Sequence, residues 1–303
     1  MSLLALRILR RALIGAIILL ALSAGGVFAL SSYRLSRTFA IRDSEPTIVS
    51  DSVSITRGRH LAFAVAKCVE CHGVDLGGQL AIDAGPVGQM IAPNITAGSG
   101  GILTARSDAD LVRAIRHGVR PDGTPIRFMP VTGFNAMTDA DVAAIVAFLR
   151  AAPPVDRESK PSVVRPLGHL MYIAGQMPVM NEAELVPHEG ITRADPAPGP
   201  TAEYGAYLAT IGGCTGCHGP GLSGGHVPGT PPSFKPAANL TPTGIGSWSE
   251  QDFATALRRG TRPDGTVIDP FMLVKFTALM TDDEIRAIYA FLRTVPRRET
   301  GNR

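Results

Sequence analysis

Cys68-Val69-Glu70-Cys71-His72 and Cys214-Thr215-Gly216-Cys217-His218 hold all four cysteines of this 303-residue chain, in two copies of one pattern, C-x-x-C-H. One helical turn separates the thiols of each copy, so both reach the same edge of a planar group, and the next residue points its imidazole under that group. This is the attachment signature of c-type haem, with two thioethers and a proximal histidine on iron. A thioredoxin-type C-x-x-C would stand alone near a βαβ pattern, and a four-cysteine zinc site would leave both histidines unexplained. The chain has only seven histidines, so one directly after both pairs by accident has a chance on the order of one in a thousand or less. Two covalently bound haem c groups are therefore expected, attached through Cys68, Cys71, Cys214 and Cys217, with His72 and His218 as iron ligands.

The copies lie 146 residues apart, and the likeness extends well beyond them. Gly58-Arg59-His60-Leu61 precedes the first and Gly205-Ala206-Tyr207-Leu208 the second. After them come Leu76-Gly77-Gly78 and Leu222-Ser223-Gly224-Gly225, then Ala92-Pro93-Asn94-Ile95-Thr96 and Ala237-Ala238-Asn239-Leu240-Thr241. Arg120-Pro121-Asp122-Gly123-Thr124 matches Arg262-Pro263-Asp264-Gly265-Thr266, and Met137-Thr138-Asp139 through Arg150 matches Met280-Thr281-Asp282 through Arg293. Each unit is one haem domain.

Helix starts are written into both units. Ser107, Thr138, Ser249 and Thr281 each stand three residues before an acid, in the capping-box style. The last helix of each unit repeats apolar residues at spacings of three and four: Val142, Ile145, Phe148 and Leu149, then Ile285, Ile288, Phe291 and Leu292. No strand alternation competes, so the expected class is all-α. Residues 153–200 contain nine prolines and little periodicity, which reads as an extended linker that wraps the domains. The expected segments are thus 1–42, an anchor; 43–152, the first domain; 153–200, the linker; and 201–303, the second domain.

A thioether opposite histidine closes the sixth iron position and stabilises ferrous iron. After Cys217 only Met272 and Met280 remain, and their partners in the first unit are Met129 and Met137 once a one-residue insertion near Pro270 is allowed. Met137 and Met280 precede the capping threonines and face Val142 and Ile285 in hydrophobic-staple register, which is a sufficient structural role. Met129 and Met272 lie in irregular Phe-Met segments where a loop can present sulfur, and they are the expected distal ligands. Met90 has no counterpart and reads as packing, as do Met171, Tyr172, Ile173 and Met177. Bis-histidine ligation is the alternative. His60 faces Tyr207 in the repeat and His117 faces Arg259, which argues a surface role for His117; His169, His188 and His226 fall in loops or linker. Trp248 precedes Ser249 in staple register with Phe253 and reads as packing.

Residues 12–30, ALIGAIILLALSAGGVFAL, are uncharged, and as a helix they span about 28 Å, close to the hydrocarbon thickness. A signal peptide has a shorter apolar region and a small-x-small site; Ala29-Leu30-Ser31 is the best match, so an uncleaved anchor is the reading adopted. Arginines lie three on each side, which balances the positive-inside signal. Haem attachment occurs outside the bacterial cytoplasmic membrane, which points both domains to the periplasm. The net charge of +3 is misleading, because residues 1–42 hold six arginines and no acid, leaving 23 bases against 26 acids in the body. A mildly acidic body excludes non-specific nucleic-acid binding, and 45% hydrophobic residues exclude wholesale disorder.

Pro93-Asn94-Ile95-Thr96, Gly244-Ile245-Gly246-x-Trp248-Ser249, Arg258-Arg259-Gly260 and the Met-Thr-Asp helix starts together resemble one family. They look like the cytochrome c subunits of bacterial membrane-bound alcohol and gluconate dehydrogenases, built from tandem class I cytochrome c domains. The resemblance covers roughly residues 56–152 and 201–296. It implies His72 and His218 as proximal and Met129 and Met272 as distal ligands. Those subunits typically carry three haem motifs, whereas this chain has two. The function implied is single-electron transfer between a periplasmic donor such as a dehydrogenase and a quinone site or terminal oxidase, without substrate chemistry on the chain. A di-haem peroxidase-like enzyme is the alternative and would need one open iron. Methionines in equivalent places of both units favour the carrier; a haem-based sensor would need a signalling domain.

Overall fold

The computed structural model describes residues 3–302; Met1, Ser2 and Arg303, at the outer ends of the expected anchor and second domain, lie outside the described residues. The first helix, α1 (Leu3–Ser36), extends past both ends of the apolar stretch and is exposed along its most apolar window, whose mean hydropathy is 2.5. By length and composition it is able to cross a membrane. Its C-terminal end is tied down: Ser31 Oγ meets His169 Nδ1 at 2.8 Å, Arg34 binds Glu184, and Leu35 is buried with Tyr172 and Met180.

In the first domain α2 (Ser52–His60) starts at Asp51, which accepts from Ser54 N, and runs into a π-helical turn over Leu61–Val65. Lys67 then breaks the helix in the left-handed region, φ 55°, and α3 (Cys68–His72) carries the first motif. A hairpin of β1 (Gln79–Asp83) and β2 (Gly88–Ala92) follows, antiparallel, with Gln79 opposite Ala92, Asp83 opposite Gln89 and a register shift between Leu80 and Ile82. This hairpin departs from the expected all-α class, and at the corresponding place the second unit carries the isolated bridge Gly225–Ala237. Next are α4 (Asp108–His117), α5 (Val131–Phe134) and α6 (Asp139–Ala151). Residues 141–149 of α6 are buried without exception, so the expected one-faced pattern holds less well here than in its repeat mate.

The connecting region is more ordered than an extended linker. β3 (Val163–Val164) pairs antiparallel with β2, and α7 (Pro166–Ile173) begins with proline in the first turn. Glu182 accepts from both the amide and the hydroxyl of Thr132 at 2.8 Å, so this region wraps the first domain. His117 corrects its expected surface role: it is 1% exposed and bonds Asp43 Oδ2 at 2.8 Å and His188 Nδ1 at 3.0 Å. Asp43 also bears Arg193, so the histidine completes a buried knot that ties the pre-domain segment to the connecting region.

The second domain repeats the plan with α8 (Ala202–Ile211), α9 (Cys214–His218), α10 (Pro242–Ile245), α11 (Glu250–Arg259), α12 (Val274–Thr277) and α13 (Asp282–Thr294). In each domain the first and last helices cross at a glycine. A Cβ on Gly58 would fall 1.8 Å from Ala144 O, and one on Gly205 would fall 1.9 Å from Ala287 O. Bare backbone at these two points lets the helices touch. Three of the four expected capping boxes close, at Ser107–Asp110, Ser249–Asp252 and Thr281–Glu284. At Thr138 the hydroxyl caps Asp141 N, but the Asp141 carboxylate turns to Arg57 and Tyr207 instead of reaching back.

That diversion marks the seam between the domains. Tyr207 OH donates to Asp141 Oδ2 at 2.7 Å, and His60 Nε2 meets Glu284 Oε2 at 2.8 Å. In the repeat His60 corresponds to Tyr207 and Asp141 to Glu284, so the two contacts are mates across a pseudo-two-fold axis. Arg57 spans it, donating to Asp141, Glu284 and the Tyr204 hydroxyl. α12 packs on the π-turn of the first domain, and α5 packs reciprocally on α8.

Candidate haem sites

Each motif helix is framed by backbone that few residues adopt. Lys67 and Gly213 precede it at φ 55° and 71°, and Gly73 and Gly219 follow at φ 81° in both domains. The chain then turns back so that Gly78 N bonds His72 O and Gly224 N bonds His218 O, each at 2.8 Å. Beyond this turn runs the segment whose carbonyl meets the motif histidine. His72 Nδ1 donates to Pro93 O at 2.9 Å, and His218 Nδ1 donates to Ala238 O at 2.7 Å. A carbonyl only accepts, so the proton sits on Nδ1 and the lone pair on Nε2, the tautomer a metal-ligating histidine takes. Burial also holds the His72 imidazole below its ordinary pKa, against the opposing pull of the Pro93 carbonyl, so the ring is neutral and a competent donor to iron.

The Asn-x-Thr segments of the repeat have a structural role. Asn94 is fully buried, donates to Val155 O at 2.7 Å and to Arg157 O at 3.1 Å, and accepts from Thr96 N and Oγ1. Asn239 does the same with Arg298 O and Thr241. Each asparagine staples the chain after the last helix to the loop whose preceding carbonyl orients the motif histidine. The signal was present as an Asn-x-Thr repeat, but its partners lie about sixty residues away. Asn94→Ala leaves several buried groups unpaired and is expected to destabilise the protein by about 2–3 kcal/mol. Denaturant unfolding checks this.

The four methionines divide cleanly by burial. Met137 and Met280 are 0% and 4% exposed and fill the core ahead of the last helices. Arg116 and Arg258 donate to their carbonyls, which gives the Arg-x-Gly turns a structural purpose. Met129 and Met272 are only partly buried and pack on the same core as Cys68 and Cys214. Both sit at an inverse γ-turn: Val131 N bonds Met129 O at 2.9 Å and Val274 N bonds Met272 O at 2.5 Å. The one-residue insertion also has a geometric reason. The first domain bends before its methionine with Phe128 at φ 64°, whereas in the second Asp269 accepts from Phe271 N and Met272 N. Met90 lies on β2, away from any turn of this kind.

Burial pushes the Cys68 thiol up to about 12 and raises Cys71 and Cys214 as well. Among the described residues no three His, Cys, Asp or Glu side chains converge as a metal-binding group. A cavity of about 680 Å³ opens at the domain seam beside Arg57, His60, Tyr204 and Glu284, not over either motif. The donor set in each domain, an imidazole with Nδ1 engaged, paired cysteines and a thioether loop, fits haem c.

The family model described as cytochrome c matches residues 55–153 and 202–296. The chain belongs to the cytochrome c family. It carries two covalently bound haem c groups and is helical with little sheet. It is 29% identical over 278 residues to the cytochrome c subunit of alcohol dehydrogenase (quinone) from Gluconacetobacter polyoxogenes, covering 82% of this chain and 57% of that protein. It is 30% identical over 274 residues to the fructose dehydrogenase cytochrome subunit of Gluconobacter japonicus, covering 84% of this chain and 55% of that subunit. A diheme cytochrome c-type protein of Cereibacter sphaeroides is 30% identical over 277 residues, covering 80% of this chain and 86% of its own length. The chain thus spans little more than half the length of these two dehydrogenase subunits.

Proposed function

We propose that this cytochrome relays single electrons on the periplasmic side of a bacterial cytoplasmic membrane, held there by α1, from a dehydrogenase toward a quinone site or terminal oxidase. Cys68, Cys71, Cys214 and Cys217 carry the haems, His72 and His218 are the proximal ligands, and Met129 and Met272 the distal ones. The units are an anchor over 1–42, domains over 43–152 and 201–303, and a connecting region over 153–200. The haem iron supplies a one-electron couple. Around it the protein holds each imidazole by a backbone carbonyl, packs the attachment cysteines in an apolar core and presents a thioether from a rigid turn, so little has to move when the charge changes.

The observation that carries this reading is the equivalence of the two sites: the same Nδ1-to-carbonyl bond and the same γ-turn methionine recur in both domains. An enzyme acting on peroxide needs at least one open iron, and an asymmetric pair of sites would suit it better. Two relatives named as dehydrogenase cytochrome subunits support the choice of donor. The test is the optical spectrum of the reduced, detergent-solubilised full chain under carbon monoxide. No spectral change is expected; a carbon monoxide complex in the unmutated protein would establish an open iron and favour the peroxidase-like alternative.

A further inference from the structure

Lys67 occupies a costly position. It is a non-glycine residue in the left-handed region, φ 55° and ψ 37°, where the second domain uses Gly213 at φ 71°. Such backbone costs on the order of a tenfold population penalty or more and persists only where the surroundings demand it. Its ammonium donates to Val65 O in its own domain and to Gly212 O in the other, both at 2.7 Å. Both acceptors are carbonyls, and among the described residues no carboxylate forms an ion pair with it. Lys67 is the residue before Cys68, and Gly212 stands two residues before Cys214, so successive Cα spacings of about 3.8 Å keep both attachment cysteines close to the ammonium. A second contact crosses the same boundary: Lys275 Nζ, three residues after Met272, meets Glu70 Oε2 inside the first motif at 2.9 Å. Desolvation lowers the Lys67 pKa.

We propose that Lys67 is a positioning residue shared by both haem sites, whose half-buried cation locks the two attachment segments together and raises the reduction potential of both haems. The inference rests on the haem assignment above. Adding an electron makes a site more negative by one unit, so a fixed cation nearby favours the reduced form, and a half-buried cation is screened less than one in bulk water. A residue serving one domain alone would have no reason to bond Gly212.

The experiment compares the full-length parent with Lys67→Gly and Lys67→Arg. Alkaline pyridine spectra first count haem; fewer than two haems per parent chain would overturn the haem assignment itself, independently of Lys67. Spectroelectrochemical titration then resolves the two couples. Lys67→Gly removes the left-handed strain, matches the second domain and keeps the fold, so both couples are expected to fall, each by about tenfold in the reduced-to-oxidised ratio at fixed ambient potential, or about 59 mV. Lys67→Arg retains the charge, and both couples are expected to stay near the parent's. A shift confined to one couple, no shift in either, or an equal fall in Lys67→Arg would each overturn the proposal.

Discussion

Met129→Ala and Met272→Ala are each expected to open one iron and leave the other closed. In the oxidised protein each variant loses about half of the methionine-to-ferric-iron band, and on reduction each binds one carbon monoxide where the parent binds none. The potential of the affected haem falls by an amount on the order of 100 mV, because the thioether that stabilises ferrous iron is gone. The comparison that gives this weight is Met137→Ala and Met280→Ala. Those side chains are 0% and 4% exposed and lie in the core ahead of capping threonines, so truncation leaves a cavity and costs about 2–5 kcal/mol without touching the band. The two pairs therefore separate on two axes, ligation and stability. A Met272→Ala protein that kept the full band, with Met280→Ala losing it, would reverse the ligand assignment. A parent protein with no methionine band but with bis-imidazole character that a His60 or His226 variant loses would move the reading to a second histidine.

Much of this molecule was legible because its chemistry is local. C-x-x-C-H is five consecutive residues, the capping hydroxyls sit three residues before their acids, and the apolar spacing of α13 appears as Ile285, Ile288 and Leu292 in the core. What was not legible depends on pairs distant in sequence. The β1–β2 hairpin needs β3 and the connecting region to cover it, and its strands carry little of the alternation that marks a half-buried sheet. The Asn94 staple reaches Val155 and Arg157, and the carbonyl that orients His72 belongs to Pro93, a residue whose side chain has no part in the bond. A backbone acceptor leaves no residue-type signature, which is why Ala238 serves equally in the second domain. His117 shows the opposite failure: a polar residue opposite Arg259 in the repeat reads as surface, yet Asp43 and His188 supply partners that only the wrapped connecting region brings in.

Gly205→Ala is expected to cost 3 kcal/mol or more, roughly, although a glycine-to-alanine change inside a helix ordinarily gains about 0.5–1 kcal/mol. The sign reverses because the added Cβ would stand 1.9 Å from Ala287 O and 2.3 Å from its carbon, both backbone atoms that no rotamer can move. α8 and α13 must separate, and with them go the contacts of Leu208, Ile285 and Ile288, which are 0%, 1% and 4% exposed. α8 leads into the second motif through Gly212 and Gly213, so the displacement also reaches Gly212 O, the acceptor of Lys67. Chemical unfolding of the haem-loaded protein measures the loss, and the haem count of material expressed at higher temperature measures its consequence for attachment. Gly58→Ala is expected to behave alike in the first domain, where the contact with Ala144 O would be 1.8 Å. If Gly205→Ala proved as stable as the parent, the crossing helices would stand further apart than they do here.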